Sequence, residues 1–468
     1  MNGSLAFTAM LPEHLLLVGI VLMLTIDIIG RWPRAALSVA VAAVIAAAVT
    51  ASVLAMQGTN GAAFPGQLSV TPALLWAKAI VLGLAVPVLM MSREDFSTGE
   101  FPALVLSSLY GVCLLVSADS FLITFLGLEL MSIPVYALIV LAYRRQESAE
   151  AALKYLVLGG TASAMFLMGA AMLYDQSGSM ALSTFAAAMG ASDLMSRAAV
   201  VLILLAFFIK AAIVPFHAWA PDAYEGASIT VTAYMATIVK AGALFAIVRI
   251  FGDARVTSPV AELLAVFPLV SIVWGNLTAM RQRSFRRMIA YSSIAHAGYL
   301  FYALLGDPAG RWQAIGFYVL AYGVLNVLAF AALPPAVNDT DRDALDQMKG
   351  LFRRQPYSAV VIAIAMLSLA GLPPFPGFVA KFLIFRNVMA AGHPTYAVLG
   401  LVGSYLGIYF YLRVIQLLFM SAAPDDAASR EAAASPSLLT GFARSASVLC
   451  LAATALLAIV PGWVLERL

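Results

Sequence analysis

The chain alternates long apolar runs with short polar joints. Fourteen runs can be drawn, at roughly 12–29, 35–56, 72–91, 102–118, 120–142, 151–174, 198–214, 228–250, 259–280, 287–305, 312–333, 357–391, 394–418 and 441–463. Each is near the ~20 residues a helix needs to cross a bilayer. The runs are continuous rather than alternating, which predicts helices and argues against a β-barrel. Two of them are interrupted. Pro215 and Pro221 break span 7, and LPPFPG, from Leu372 to Gly377, lies inside span 12, which is too long for one crossing. IVPFH at 213–217 resembles LPPFP at 372–376, five spans later. An odd offset inverts the second copy, so the pattern predicts two inverted five-helix repeats, spans 4–8 and 9–13, with helices 7 and 12 broken. The expected divisions are a three-helix segment over 1–100, repeats over 101–250 and 258–420, and a C-terminal helix at 441–463. The polar stretch 421–440 is expected to be a flexible cytoplasmic loop.

Composition sharpens this reading. Of the 468 residues 62% are hydrophobic and only 11% charged, against about 25% charged in a soluble domain. The fold class predicted is therefore all-α, a polytopic integral membrane protein. Arg31 and Arg34, Arg144 and Arg145, Arg281 to Arg287, and Arg342 to Arg354 load the joints after spans 1, 5, 9 and 11. The positive-inside rule places those joints in the cytoplasm and the N-terminus on the outer face. The N-terminus lacks a basic leader and carries Glu13 ahead of its first apolar run, so that run is expected to remain as a helix. There is no basic stripe for nucleic acid. The two cysteines, Cys113 and Cys450, sit in separate apolar runs, so no iron–sulfur centre, zinc site or disulfide is expected. No phosphate-cradling glycine motif is present, and no nucleotide site is expected.

The charges that remain carry the chemistry. Five of six lysines (Lys78, Lys154, Lys210, Lys240 and Lys381) fall inside predicted spans, while most arginines fall in joints. A lysine at a span centre costs about 2.5–3.5 kcal/mol on insertion scales. Lysine, unlike arginine, can lose its proton when buried. Glu129, in GLELMSIPVY, is the acidic counterpart. A Glu129–Lys210 contact would act as a latch, releasing the lysine proton when it opens. The competing reading is a set of structural ion pairs inside the bundle. His296 in YSSIAHAGYL and His217 beside the break suit proton relay, though each could be a core histidine bonded to a carbonyl. Lys78 and Lys154 are near enough to span ends to reach the headgroups. Asp222 and Glu225 are expected to cap the helix starting near Ser228, and Asp27 to pair with Arg31. Gly403 and Gly407 are expected to permit close helix packing.

Together these segments resemble a known family. GLELMSIPVYALI, ALKYLVLGGTASAMFLMG, FFIKAAIVPFHAWAPDAYEGAS, RRMIAYSSIAHAGYL and LAGLPPFPGFVAKF are similar to the antiporter-like membrane subunits of proton-pumping NADH–quinone oxidoreductase (respiratory complex I), subunit N in particular. The resemblance implies a proton-translocating subunit in a bacterial inner membrane, whose work is driven by electron transfer from NADH to quinone in other subunits. It implies a chain of protonatable groups at Glu129, Lys154, Lys210, His217, Lys240, His296 and Lys381 joining two half-channels. It places NADH, FMN, iron–sulfur clusters and quinone in partner subunits and none in this chain. The implied partners are other membrane-arm subunits, neighbouring antiporter-like subunits among them, the lipid bilayer and protons. A lysine at 381 favours subunit N over the M type. Ser228 departs from the proline common at that place in the family. A subunit of a multi-subunit cation/proton antiporter shares the broken-helix motifs and is the nearest alternative.

Overall fold

The computed structural model describes residues 3–30, 32–96, 99–141, 146–256, 258–334, 343–420 and 441–468. The expected loop at 421–440 and the expected Asp27–Arg31 pair fall partly or wholly outside these residues. The membrane helices are α1 (Leu11–Gly30), α2 (Pro33–Met56), α3 (Pro72–Asp95), α4 (Glu100–Ser117), α5 (Phe121–Leu141), α6 (Gln146–Ser177) and α7 (Leu194–Ala211). There follow the short α8 (Trp219–Gly226), then α9 (Ile229–Phe251), α10 (Ser258–Ala279), α11 (Phe285–Tyr302), α12 (Pro308–Ala331), α13 (Pro356–Ala370), α14 (Pro376–Ala390), α15 (Pro394–Phe419) and α16 (Gly441–Ile459). Among the described residues, 13 helices are long and apolar enough to cross a membrane, and the α13–α14 pair supplies the interrupted crossing expected at span 12.

Local signals set the helix ends. The side chains of Thr71, Asp193, Ser228 and Ser284 each accept a hydrogen bond from a backbone N–H in the first turn of α3, α7, α9 and α11. The cap of α9 is thus Ser228 itself, and Asp222 and Glu225 are engaged in ion pairs instead. Gly403 and Gly407 bring α15 hard against α10, since a Cβ on them would lie 2.7 Å from Ile272 and 2.9 Å from Asn276.

The two breaks are built alike and fall at matching places in the two halves. α7 is capped by Ala212, with φ 61°, and α13 by Gly371, with φ 83°. At both, two successive N–H groups turn back onto the helix: those of Ala212 and Ile213, and those of Gly371 and Leu372. Each break then runs through an X–Pro cis peptide, Val214–Pro215 and Pro373–Pro374.

One element is not apparent in the apolar pattern. Strands β1 (Gly61–Phe64) and β2 (Leu68–Val70) pair antiparallel between α2 and α3. Ala63, Leu68 and Val70 pack on Leu54, Ala55 and Leu75, closing the ends of those helices. Residues 118–121 and 180–182 bond to or near this hairpin, so they mark one face of the bundle. Ser284 and Ala344 bridge on the opposite face. There Asp343 accepts from Ser284 Oγ at 2.8 Å and from Arg286 Nε at 2.9 Å and Nη2. Burial would raise the Asp343 carboxyl, but the charge and hydrogen bonds of Arg286 outweigh burial and hold it below the ordinary carboxylate range.

Candidate functional site

The site is a row of buried polar groups that starts at the end of α7. Lys210 lies in the last turn of that helix, and its amine is buried 3.8 Å from Glu129 Oε1 on α5. The amine also donates to Ser132 Oγ at 3.2 Å, and Ser163 on α6 makes a short hydrogen bond to the Glu129 carboxylate. The contact expected from the sequence is therefore formed, with two serines beside it that the sequence reading had not singled out.

The break itself is sealed by side chains. Trp219 Nε1 donates to the Ile209 carbonyl at 2.9 Å, and the Val214 N–H donates to Ser271 Oγ at 2.8 Å. Backbone groups freed inside a membrane must find partners, and here protein supplies them. At the second break the partner is a lysine. Lys381 on α14 donates to the carbonyl of Ala370, the last residue of α13, at 3.0 Å. The C-terminal end of a helix carries partial negative charge, so an ammonium is favoured there.

Lys240 follows a five-residue π-helical stretch, Met235–Val239, inside α9. Such a bulge widens one turn and is frequent at functional sites. The Lys240 amine donates to the Ser293 carbonyl at 2.7 Å and makes a short bond to Ser293 Oγ. Ser293 Oγ lies 3.3 Å from Tyr224 OH on α8. The two halves of span 7 thus carry Lys210 at one end and a partner of the Lys240 group at the other.

From Ser293 the row continues along α11. Ser293, His296 and Tyr299 are spaced by three, so they share one helix face with about 4.5 Å of rise between them. His296 Nδ1 meets Tyr318 OH at 2.7 Å, and Nε2 meets Tyr411 OH at 3.0 Å. A neutral imidazole must donate to one hydroxyl and accept from the other, and each hydroxyl can do either. The pair can therefore pass a proton through the ring in either direction. Tyr411 OH also meets Ser292 Oγ at 2.5 Å. One turn on, Lys381 Nζ stands 5.1 Å over the Tyr299 ring, within cation–π range. His296 thereby sits one turn from the partner of Lys240 on one side and the partner of Lys381 on the other.

Two expected members lie apart from this row. Lys154, 44% exposed, pairs with Glu150 at 2.7 Å and with Asp222 at 2.8 Å. Arg287 joins the cluster through Asp222 at 2.9 Å and Glu225 at 2.8 Å. The cluster ties α6, α8 and α11 together near the Arg286 face. His217 Nε2 accepts from Trp274 Nε1 at 3.1 Å, and Trp274 is half exposed on the flank of α10. Lys78, expected near the headgroups, is instead fully buried and pairs with Glu13 at 2.5 Å. The hairpin covers the helix end through which it would have reached them. Ser293, Tyr224, Tyr318 and Tyr411 were missed in the sequence. Only the spacing of Ser293, His296 and Tyr299 was there to be read. Among the described residues no group of three or more His, Cys, Asp or Glu could hold a metal ion.

Comparison with known proteins fits this architecture. Residues 118–407 match the family described as NADH:quinone oxidoreductase/Mrp antiporter, transmembrane. A protein of Pelobacter propionicus named NADH-quinone oxidoreductase subunit N is 36% identical over 417 residues, 88% of this chain and 89% of that one. The protein of that name from Deinococcus radiodurans is 35% identical over 86% of this chain and 83% of its own length. Among solved structures, a chain of respiratory complex I from Thermus thermophilus with bound Aureothin is 34% identical, with a TM-score of 0.82 over 97% of this chain and 98% of that one. A chain of the Mrp complex from a Dietzia species is 22% identical with a TM-score of 0.83 over 98% of this chain and 96% of that one, a likeness of fold.

Proposed function

Because this chain belongs to the NADH:quinone oxidoreductase/Mrp antiporter membrane family, we propose that it is a proton-translocating subunit of NADH–quinone oxidoreductase and that its buried polar row is the path. The single observation that carries the reading is the run Ser293–His296–Tyr299 on α11, which ties the Lys240 group to the Lys381 group through a histidine held by two hydroxyls. In this reading protons enter and leave through half-channels from the two faces. They pass among Lys210, Lys240, His296 and Lys381, and Glu129 holds or frees the Lys210 proton. Lys154, with Glu150, Asp222, Arg287 and Glu225, stands at the mouth of the path on the Arg286 face. His217 acts at the flank of the first break.

The chain contributes the translocating part of an enzyme whose redox work is done elsewhere. NADH, FMN, iron–sulfur clusters and quinone belong to partner subunits, and electrostatic coupling arrives from a neighbouring membrane-arm subunit. The membrane is the bacterial inner membrane, with the Arg286 face in the cytoplasm and the N-terminus outside. Residues 101–250 and 258–420 act as the two inverted halves. The test is Lys210→Ala in the whole complex reconstituted into vesicles. Assembly and electron transfer should persist while protons moved per electron fall sharply; an unchanged ratio would refute the role.

A further inference from the structure

A fully buried charged pair on α1 and α3 lies outside that row. Glu13 on α1 and Lys78 on α3 are both at zero exposure, and their charges meet at 2.5 Å. Beyond this contact neither Glu13 oxygen nor the Lys78 amine has a hydrogen-bond partner among the described residues. An ionised carboxylate offers about four acceptor sites and an ammonium three donors. One contact therefore leaves most of that capacity unmet, at a desolvation cost of several kcal/mol per ion. Replacing such a pair with apolar residues is often neutral or stabilising, so stability alone does not account for it.

The pair is not isolated. Cys113 and Tyr110 on α4 lie within electrostatic reach of it, and Cys113 and Ser108 in turn lie beside Tyr234 on α9. Ser117 Oγ, one turn beyond Cys113, is also buried without a hydrogen-bond partner among the described residues. Buried polar atoms of this kind are ordinarily met by ordered water. α4, which carries Tyr110 and Cys113 toward the pair, packs on α9, the helix that carries Lys240. Lys78 is six residues inside the hairpin end of α3, about 9 Å deep. The pair thus stands between the membrane centre and the hairpin face.

We propose that Glu13–Lys78 is a second proton-exchange site, on the hairpin side of the Lys240 row and joined to it by water. The step is simple in balance. One proton arriving from water converts the Glu13 carboxylate to the acid beside the Lys78 ammonium, and its departure to water restores the ion pair. This rests on the reading that the chain translocates protons.

The test uses the whole complex in vesicles, with the double variant Glu13→Leu/Lys78→Met removing both charges together. The expected result is normal assembly and electron transfer with protons per electron reduced at least twofold. A wild-type ratio would overturn the proposal and leave a structural pair. Lys210→Ala is measured alongside: if it too pumps normally, the broader reading fails, whereas a defect in Lys210→Ala alone sinks only the present inference. Should the double variant not assemble, infrared difference spectra of the turning-over wild type and of Glu13→Gln decide. A carboxylic-acid band present in the first and missing in the second supports the site. A wild type with no responding carboxyl band, or a band that survives Glu13→Gln, refutes it.

Discussion

Gly377 is where the two halves of the second break touch, and Gly377→Ala should uncouple the machine. A Cβ there would lie 1.8 Å from the carbonyl oxygen of Ser368 and 2.7 Å from its carbonyl carbon. Both are backbone atoms of α13, so no side chain can swing aside. Reaching ordinary contact requires α14 to move by about 1.6 Å relative to α13, well beyond the few tenths of an ångström a packed core yields cheaply. The Gly377 N–H also donates to Ser368 Oγ at 3.2 Å, and that bond stretches with the same movement. Lys381, four residues along α14, is held to the Ala370 carbonyl at 3.0 Å, so such a displacement breaks it. A hydrogen bond from a charged donor is worth about 1.5–3 kcal/mol, so the amine is held roughly ten- to hundredfold less firmly. The assay is proton uptake per electron in reconstituted vesicles, with assembly followed on native gels. Gly160→Ala on α6 is the control, because a Cβ there meets nothing within 4 Å. It should be neutral or slightly stabilising. Gly377→Ala with a wild-type ratio and wild-type thermal stability would show that the break does not position Lys381.

Other outcomes follow from the same geometry. Tyr318→Phe and Tyr411→Phe each remove one of the two hydroxyls on His296. Each should slow pumping more than it lowers stability, which should fall by about 1–3 kcal/mol for the ring nitrogen left unpaired; equal effects on heat inactivation and pumping would point to a packing role alone. Ala212→Gly should leave pumping intact and raise heat resistance slightly, because φ 61° strains any residue with a Cβ; a loss of stability would count against that strain. Asp343→Asn tests the Arg286 pair. Because the folded carboxyl titrates below its ordinary value, its stabilisation is complete above about pH 4, the unfolded value, and is lost as pH falls through the folded one. The gap in unfolding temperature between wild type and Asp343→Asn should therefore hold from neutral pH to about pH 5 and shrink below pH 4. A gap that widens with acid would contradict the sign.

The crossings could be read from the chain because lipid imposes one length and one secondary structure, and both breaks could be read because proline cannot continue a helix. Glu129–Lys210 was foreseen because two opposite charges in oil have few other places to go. What escaped notice depends on distant parts meeting. Tyr318 and Tyr411 come from α12 and α15, and nothing local marks them as partners of His296. The π stretch before Lys240 lies in an ordinary helical pattern, MATIV. The hairpin strands are four and three residues long, too short to show alternation. Missing the hairpin caused the misplacement of Lys78, since a lysine near a helix end reaches water only if that end is open. Lys154 stands apart from the row because the second half of span 7 returns the acidic residues of α8 to the start of α6.

α9 has no side that meets oil: apart from the partly covered Arg249, its residues from Ile229 to Phe251 are all enclosed by protein. During synthesis, however, it emerges before α12, which covers its π-helical stretch and the turns beside it. The segment bearing Lys240 therefore keeps one side open while roughly a further 80 residues are made. Insertion of this chain is thus closer to closing a clasp than to laying planks side by side, and the enclosure of the helix that bears Lys240 is the part finished late.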